Sequence, residues 1–217
     1  AGCGKHFPGL GGGKRDSHLE TPAIVRGWPE LWREDLEPYR ALRNELPMVM
    51  VNHAAYPKSP GGERPASASA YWISTVLRKR IGYRGIIFSD DLEMGGILKF
   101  LPMEDAVIEA MRAGMETVEI CHGAELILRA YEALVHEAER SKAFRALLLK
   151  RAREVARKRE RLFGSGVAPD VRRALTARQF ESLRSEILRF RDEVTKASEG
   201  ARVDAPAARR STPVETA

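Results

Sequence analysis

Two stretches of the 217-residue chain carry side chains suited to proton transfer and nucleophilic attack. The first is Lys5-His6-Phe7-Pro8-Gly9-Leu10-Gly11-Gly12-Gly13-Lys14-Arg15-Asp16-Ser17-His18. Asp16 and His18 stand two apart, close enough for a carboxylate to orient an imidazole and stabilise its charged form. Histidine titrates near pH ~6.5, so this ring can both give and take a proton at neutral pH. Alone, an Asp-Ser-His tripeptide is commoner in ordinary loops. A glycine-rich stretch ending in lysine also invites comparison with a phosphate loop. The comparison fails, because Pro8 stands where the first glycine belongs and Arg15 where Ser or Thr should follow. The glycines suit a mobile loop instead. The second stretch is Phe88-Ser89-Asp90-Asp91-Leu92-Glu93-Met94. Its adjacent carboxylates, Asp90 and Asp91, end an apolar run, and either suits a nucleophile, a metal ligand or a helix cap.

Positioning these groups requires an alternation of strands and helices. Met48-Val49-Met50-Val51-Asn52 is β-prone and follows a helical stretch from Pro29 to Leu46. Tyr71 to Arg80 has Trp72, Val76 and Leu77 at helical spacing, and Gly85-Ile86-Ile87-Phe88-Ser89 reads as a buried strand without polar alternation. A helix from Met103 to Ala113 stops at Gly114, Met115 to Cys121 offers another strand, and a helical pattern runs from Ala124 to Phe163. Strands alternating with helices imply parallel βαβ units. Chemically capable residues gather where each strand run ends: Lys5-His6, His53, Asp90-Asp91 and His122. A (β/α)8 barrel collects its catalytic groups in that way, and four strands make half of one. The expected fold is therefore α/β, the C-terminal half of a TIM-like barrel followed by a basic helical tail, with a doubly wound sheet as the alternative. The barrel part is expected over residues 1–163. A linker and amphipathic helix follow over 164–200, with the helix from Thr176 to Lys196, and 201–217 reads as a disordered tail.

Composition excludes several classes. No uncharged apolar run approaches the ~18–20 residues of a membrane span. Two cysteines, Cys3 and Cys121, cannot build a disulfide scaffold or a four-thiolate zinc site, and both are expected in the core. The net charge of +6 is unevenly placed: residues 1–123 hold 15 Lys+Arg and 16 Asp+Glu, whereas 124–217 hold 21 and 14. The basic runs Lys150–Arg153 and Arg157–Arg161 lie on the long helical pattern without interleaved aromatics. They read as a solvated helix face, and no nucleic-acid partner is expected. The chain begins at Ala1 inside a structured motif, so upstream sequence is expected to be missing. No cationic–apolar leader opens it, and cytoplasmic location is the expectation.

Taken together, Lys5-His6-Phe7-Pro8-Gly9, Asp16-Ser17-His18, Arg64-Pro65-Ala66-Ser67 and Gly85 to Leu92 resemble the family 3 glycoside hydrolases, specifically their bacterial β-N-acetylhexosaminidase branch. Order and spacing agree from about Gly4 to residue 160. The resemblance implies a retaining hydrolase that releases terminal β-linked N-acetylglucosamine, in peptidoglycan recycling, without metal or organic cofactor. It implies Asp90 as the nucleophile, His18 as acid/base with Asp16 as its dyad partner, and Lys5 and His6 as sugar-binding residues. His53 falls where the family often has a histidine lining the site. Leu10 replaces a histidine common in the family, and Gly12-Gly13-Lys14-Arg15 departs from its usual loop.

The implied substrate is an amino-sugar oligosaccharide or muropeptide, and the implied partner is the missing N-terminal half of the barrel, without which this chain is expected to be inactive. Two other functions remain open from sequence. One is a phosphorylase with phosphate as acceptor, which a histidine acid/base would suit. The other is a non-catalytic interaction protein built on a truncated barrel.

Overall fold

The computed structural model describes residues 2–11, 21–164 and 177–200, with the backbone alone at 177–180, 194 and 197–200. The chain divides into two units, Ala1–Gly166 and Val167–Ala217.

The first unit is an α/β arrangement around a parallel sheet of four strands: β1 (Cys3–Phe7), β2 (Met48–Val51), β3 (Ile86–Asp91) and β4 (Thr117–Glu119), in the order β1-β2-β3-β4. The register pairs Cys3 with Met48, Met48 with Ile86, and Phe88 with Thr117. Helices α1 (Trp28–Arg33) and α2 (Glu37–Ala41) lie between β1 and β2, and a π-helix (Tyr71–Arg80) lies between β2 and β3. Helices α3 (Gly95–Leu98) and α4 (Met103–Ala113) lead to β4, which is followed by α5 (Ala124–Arg140) and α6 (Lys142–Phe163).

Two expected helices are broken, each for a local reason. The stretch from Pro29 to Leu46 forms two short helices, because Pro38 lacks an N–H and cannot continue the ladder begun at Pro29. The pattern from Ala124 to Phe163 breaks at Ser141, which is extended (φ −124°, ψ 104°) and accepts a hydrogen bond from the Phe144 amide at 3.2 Å. Serine thereby caps α6 rather than continuing α5.

Alternation along the strands separates two sheet faces. Val49, Val51 and Ile87 point into a core with Phe7, Trp72, Ile73, Val76 and Leu77. Trp72 anchors that core, with Tyr56 at 4.8 Å and Phe7 at 6.2 Å between ring centroids. On the other face Met48, Ile86, Phe88, Thr117 and Glu119 line a cleft that Val155, Arg159 and Phe163 of α6 help to form. At the beginning of β3 the chain passes too close to its neighbours for a side chain. A Cβ on Gly85 would lie 2.1 Å from the Tyr83 hydroxyl and 2.5 Å from the Pro47 carbonyl oxygen.

Glu116, just before β4, is a buried carboxylate with full compensation. It forms an ion pair with Arg78 Nη2 at 2.7 Å, and accepts hydrogen bonds from the Ile87 amide at 3.0 Å and from the Lys158 ammonium. Burial pulls both cations below their ordinary pKa, and Glu116 is the charge that opposes that shift. Lys158 and the half-buried Arg151 therefore turn from the basic run of α6 toward the protein, while Arg153, Arg157 and Arg159 stay exposed.

The second unit contains one described helix, α7 (Ala177–Gly200), close to the expected Thr176 to Lys196.

Candidate active site

The C-terminal ends of the parallel strands assemble the candidate groups. Asp90 and Asp91 close β3, and the structure gives the two carboxylates different tasks. Asp91 is a turn cap: its Oδ1 accepts from the Glu93 amide at 3.0 Å and from the Cys121 amide at 3.3 Å. The Asp90 carboxylate faces β1, where His6 Nε2 lies 3.8 Å from Asp90 Oδ2. Its Oδ1 also accepts from the Asp91 amide at 3.0 Å. The sequence left nucleophile, metal ligand and cap open for both residues. The geometry assigns the cap to Asp91 and leaves Asp90 directed at the site.

Lys5 and His6 belong to β1, and three groups hold that segment in place. The Asn52 amide donates to the His6 carbonyl at 3.2 Å, the Asn52 backbone N–H donates to the Phe7 carbonyl at 2.9 Å, and the Tyr56 hydroxyl donates to the Gly9 carbonyl at 2.6 Å. The Lys5–His6 and Phe7–Pro8 peptide bonds are cis. Asn52 and Tyr56 are positioning residues that the sequence reading passes over, although Asn52 directly follows the β2 run.

His53 differs from its expected place. It does not line the site: it is fully buried behind β3. Its Nε2 lies 2.9 Å from the Asp91 carbonyl, and its Nδ1 lies 2.7 Å from Ser67 Oγ. A carbonyl oxygen can only accept, so Nε2 carries the proton and Nδ1 accepts from the serine hydroxyl. Burial lowers its pKa, against the opposing hydrogen bond and charges of Asp90 and Asp91, so the ring is held neutral. His53 and Ser67 thus brace the backbone that presents Asp90.

A further carboxylate, Glu119, sits at the end of β4 in register with Asp91. Burial, then the charges of Asp90 and Asp91, raise its pKa, and Lys5 lowers it. These four groups therefore form one electrostatic neighbourhood. The signal for Glu119 was the alternation Thr117-Val118-Glu119, which turns residues 117 and 119 to the same face.

Beside this cluster Glu93 ties the β4–α5 turn to β3. Its carboxylate accepts from the amides of Cys121 (2.9 Å), His122 (2.6 Å) and Gly123 (2.7 Å), and from His122 Nδ1 at 3.1 Å. Partial burial would push the Glu93 carboxyl up, but these donors hold it below the usual carboxylate range. Ligand atoms of Asp91, Glu93 and His122 lie within 4.8 Å of one another, near enough to share a divalent cation. The Glu93 oxygens are already engaged by amides, so the arrangement works as a latch without one. Cys3 and Cys121 are both exposed, against the expectation of core cysteines. Desolvation by neighbouring atoms, followed by a hydrogen bond to Asp91 and nearby carboxylates, pushes the Cys121 thiol up to about 11. Asp16 and His18 lie outside the described residues.

Residues 1–157 match the family described as glycosyl hydrolase family 3 N terminal domain. A beta-hexosaminidase of Aromatoleum aromaticum is 40% identical over 127 residues, which cover 58% of this chain and 35% of that protein. A beta-hexosaminidase of Haemophilus ducreyi is 34% identical over 160 residues, which cover 71% of this chain and 45% of that one. Among solved structures, a glycoside hydrolase family 3 beta-N-acetylglucosaminidase from Paenibacillus sp. str. FPU-7 is similar at a TM-score of 0.67 and 30% identity, covering 81% of this chain and 33% of its own. The chain thus spans less than half the length of the curated relatives it matches.

Proposed function

This chain belongs to glycosyl hydrolase family 3, and on that premise we propose that it supplies the nucleophile-bearing part of a retaining β-N-acetylglucosaminidase. The observation that carries this reading is the division of labour at the end of β3, where Asp91 is occupied as a cap and Asp90 faces His6 at 3.8 Å. In the proposed reaction an Asp90 oxygen attacks the anomeric carbon of a terminal β-linked N-acetylglucosamine as the glycosidic bond breaks. His18, supported by Asp16, gives its proton to the leaving oxygen. Neutral His18 then takes a proton from water, which attacks the glycosyl-aspartate and frees Asp90. Lys5 and His6 bind the sugar hydroxyls, and their segment is fixed by Asn52 and Tyr56 for that purpose.

The proposed source of substrate is peptidoglycan fragments, and the proposed acceptor is water. An anionic acceptor such as phosphate would enter a mouth that already holds Asp90, Asp91 and Glu119, so charge repulsion favours hydrolysis over phosphorolysis. Four parallel strands are half of the number that closes a (β/α)8 barrel. The proposed active species is therefore a complete barrel in which this chain forms the second half, and the chain alone is inactive.

Turnover of an aryl N-acetylglucosaminide by the complete barrel tests the assignment. Asp90→Ala is expected to abolish turnover, while His18→Ala slows it by about 10²–10⁴-fold, the usual worth of a general acid. Wild-type rates in the Asp90 variant would refute the nucleophile assignment, and turnover by the 217-residue chain alone would refute its dependence on a second half.

A further inference from the structure

Helix α7 has no part in the proposed chemistry, yet its sequence carries two ordered patterns. A heptad register places Phe180, Ile187 and Val194 at position a, and Leu183 and Phe190 at position d. The 24-residue helix is just over three heptads long. Leu183, Ile187 and Phe190 are 45%, 58% and 67% exposed, so the described part of this seam is uncovered along its length. Such spacing, three and four residues alternately, is that of two helices packing knobs into holes. Leu188 is also exposed, at 40%, but occupies position b, outside the seam.

Charge supplies the second pattern and identifies what covers the seam. The same register puts Arg184 and Arg191 at position e, and Glu186 and Glu193 at position g. In a parallel pair of identical helices, position g of one heptad meets position e of the next heptad across the interface. Glu186 of each copy then meets Arg191 of the other. In an antiparallel pair, e meets e and g meets g, which sets Arg against Arg and Glu against Glu. Ile187 and Val194 at a, with Leu183 at d, are the pattern that favours two strands, and Phe180 and Phe190 fill the other two core positions. In the single chain Arg184 lies 3.7 Å from Glu181, and Arg191 bonds Asp192. These exposed pairs are weak enough to exchange for interhelical ones.

We propose that α7 is a homodimerisation element, a parallel two-stranded coiled coil whose occupant is α7 of a second copy of this chain. The proposal is independent of the catalytic reading, since it uses none of the residues at the strand ends. Sedimentation equilibrium of the 217-residue chain tests it, and a mass of twice 24.2 kDa is expected. Two charge variants then probe the interface. Arg184→Glu with Arg191→Glu makes every e and g position named above acidic, and Glu186→Arg with Glu193→Arg makes them all basic. Each variant alone is expected to raise the dimer dissociation constant by about tenfold or more, through like charges facing across the seam. An equimolar mixture of the two is expected to recover a dimer containing one chain of each. A monomeric wild-type chain overturns the proposal, as a helix docked on its own chain would give. Dimers of unchanged strength in both variants, or a mixture that recovers nothing, also overturn it.

Discussion

Replacing His53 by glutamine separates a buried brace from a catalytic histidine. The ring donates to the Asp91 carbonyl at 2.9 Å and accepts from Ser67 Oγ at 2.7 Å, with no exposure to water. Glutamine has the right groups but not the ring's reach, so it leaves at least one of these buried partners unpaired. Each such loss costs about 1–3 kcal/mol, and the variant is expected to be about 2–4 kcal/mol less stable at pH ~7.5. The deficit then depends on pH with a fixed sign. Burial holds the folded-state pKa of His53 below the ordinary value of 6.5. Below that value the unfolded chain binds a proton that the folded chain refuses. The brace's contribution is therefore complete above pH ~6.5 and is lost as pH falls toward the depressed folded value, by about 1.4 kcal/mol per unit. Glutamine does not titrate. The stability gap between wild type and His53→Gln should narrow as pH falls from ~6.5 to ~5.5, by no more than about 1 kcal/mol over that unit. Urea unfolding of both chains across that range reads the gap. A gap that stays constant on acidification, or widens, would refute the neutral buried assignment.

Other sites give equally direct outcomes. Glu116→Ala leaves Arg78 and Lys158 as buried cations without their counter-charge and is expected to cost about 3–5 kcal/mol, seen as a Tm lower by about 10 °C. Gly85→Ala forces a Cβ against the Tyr83 hydroxyl and the Pro47 carbonyl, so urea unfolding should show a loss of more than about 1 kcal/mol, the cost of overpacking a fixed site. With its pKa pushed up to about 11, Cys121 should alkylate with iodoacetamide at pH ~7.5 about two orders of magnitude more slowly than free cysteine. A Cys3→Ser chain isolates that signal in mass spectra.

Much of this arrangement is visible in the sequence because it depends on local chemistry. The apolar run Ile86-Ile87-Phe88 ends in two carboxylates, and a parallel strand presents its terminal residues at one rim of the sheet. The end of α4 is equally local: Gly114 adopts φ 123°, which only glycine takes without strain. The breaks at Pro38 and Ser141 also had local signals, in a missing donor and a capping hydroxyl, which the longer helical periodicity obscured. What escaped depends on contacts between distant segments. Whether His53 faces the cleft or the core is decided by Ser67 and by the Asp91 carbonyl, 14 and 38 residues away. The roles of Asp90 and Asp91 separate through two amides on Asp91, the local one of Glu93 and the distant one of Cys121, and only the first is near in sequence. Cys3 and Cys121 look like core residues by type alone, and their exposure follows from their places at a strand start and in a turn.

The central claim is that Asp90, and not Asp91, bonds to the sugar. A 5-fluoro N-acetylglucosaminyl fluoride slows release of the covalent intermediate, so peptide mapping of the treated complete barrel by mass spectrometry locates the attachment. The account predicts one added sugar on the peptide containing Phe88 to Met94, with fragmentation placing it on Asp90 and no label in Asp90→Ala. A sugar found on Asp91, or none at all while the compound is turned over, would contradict it.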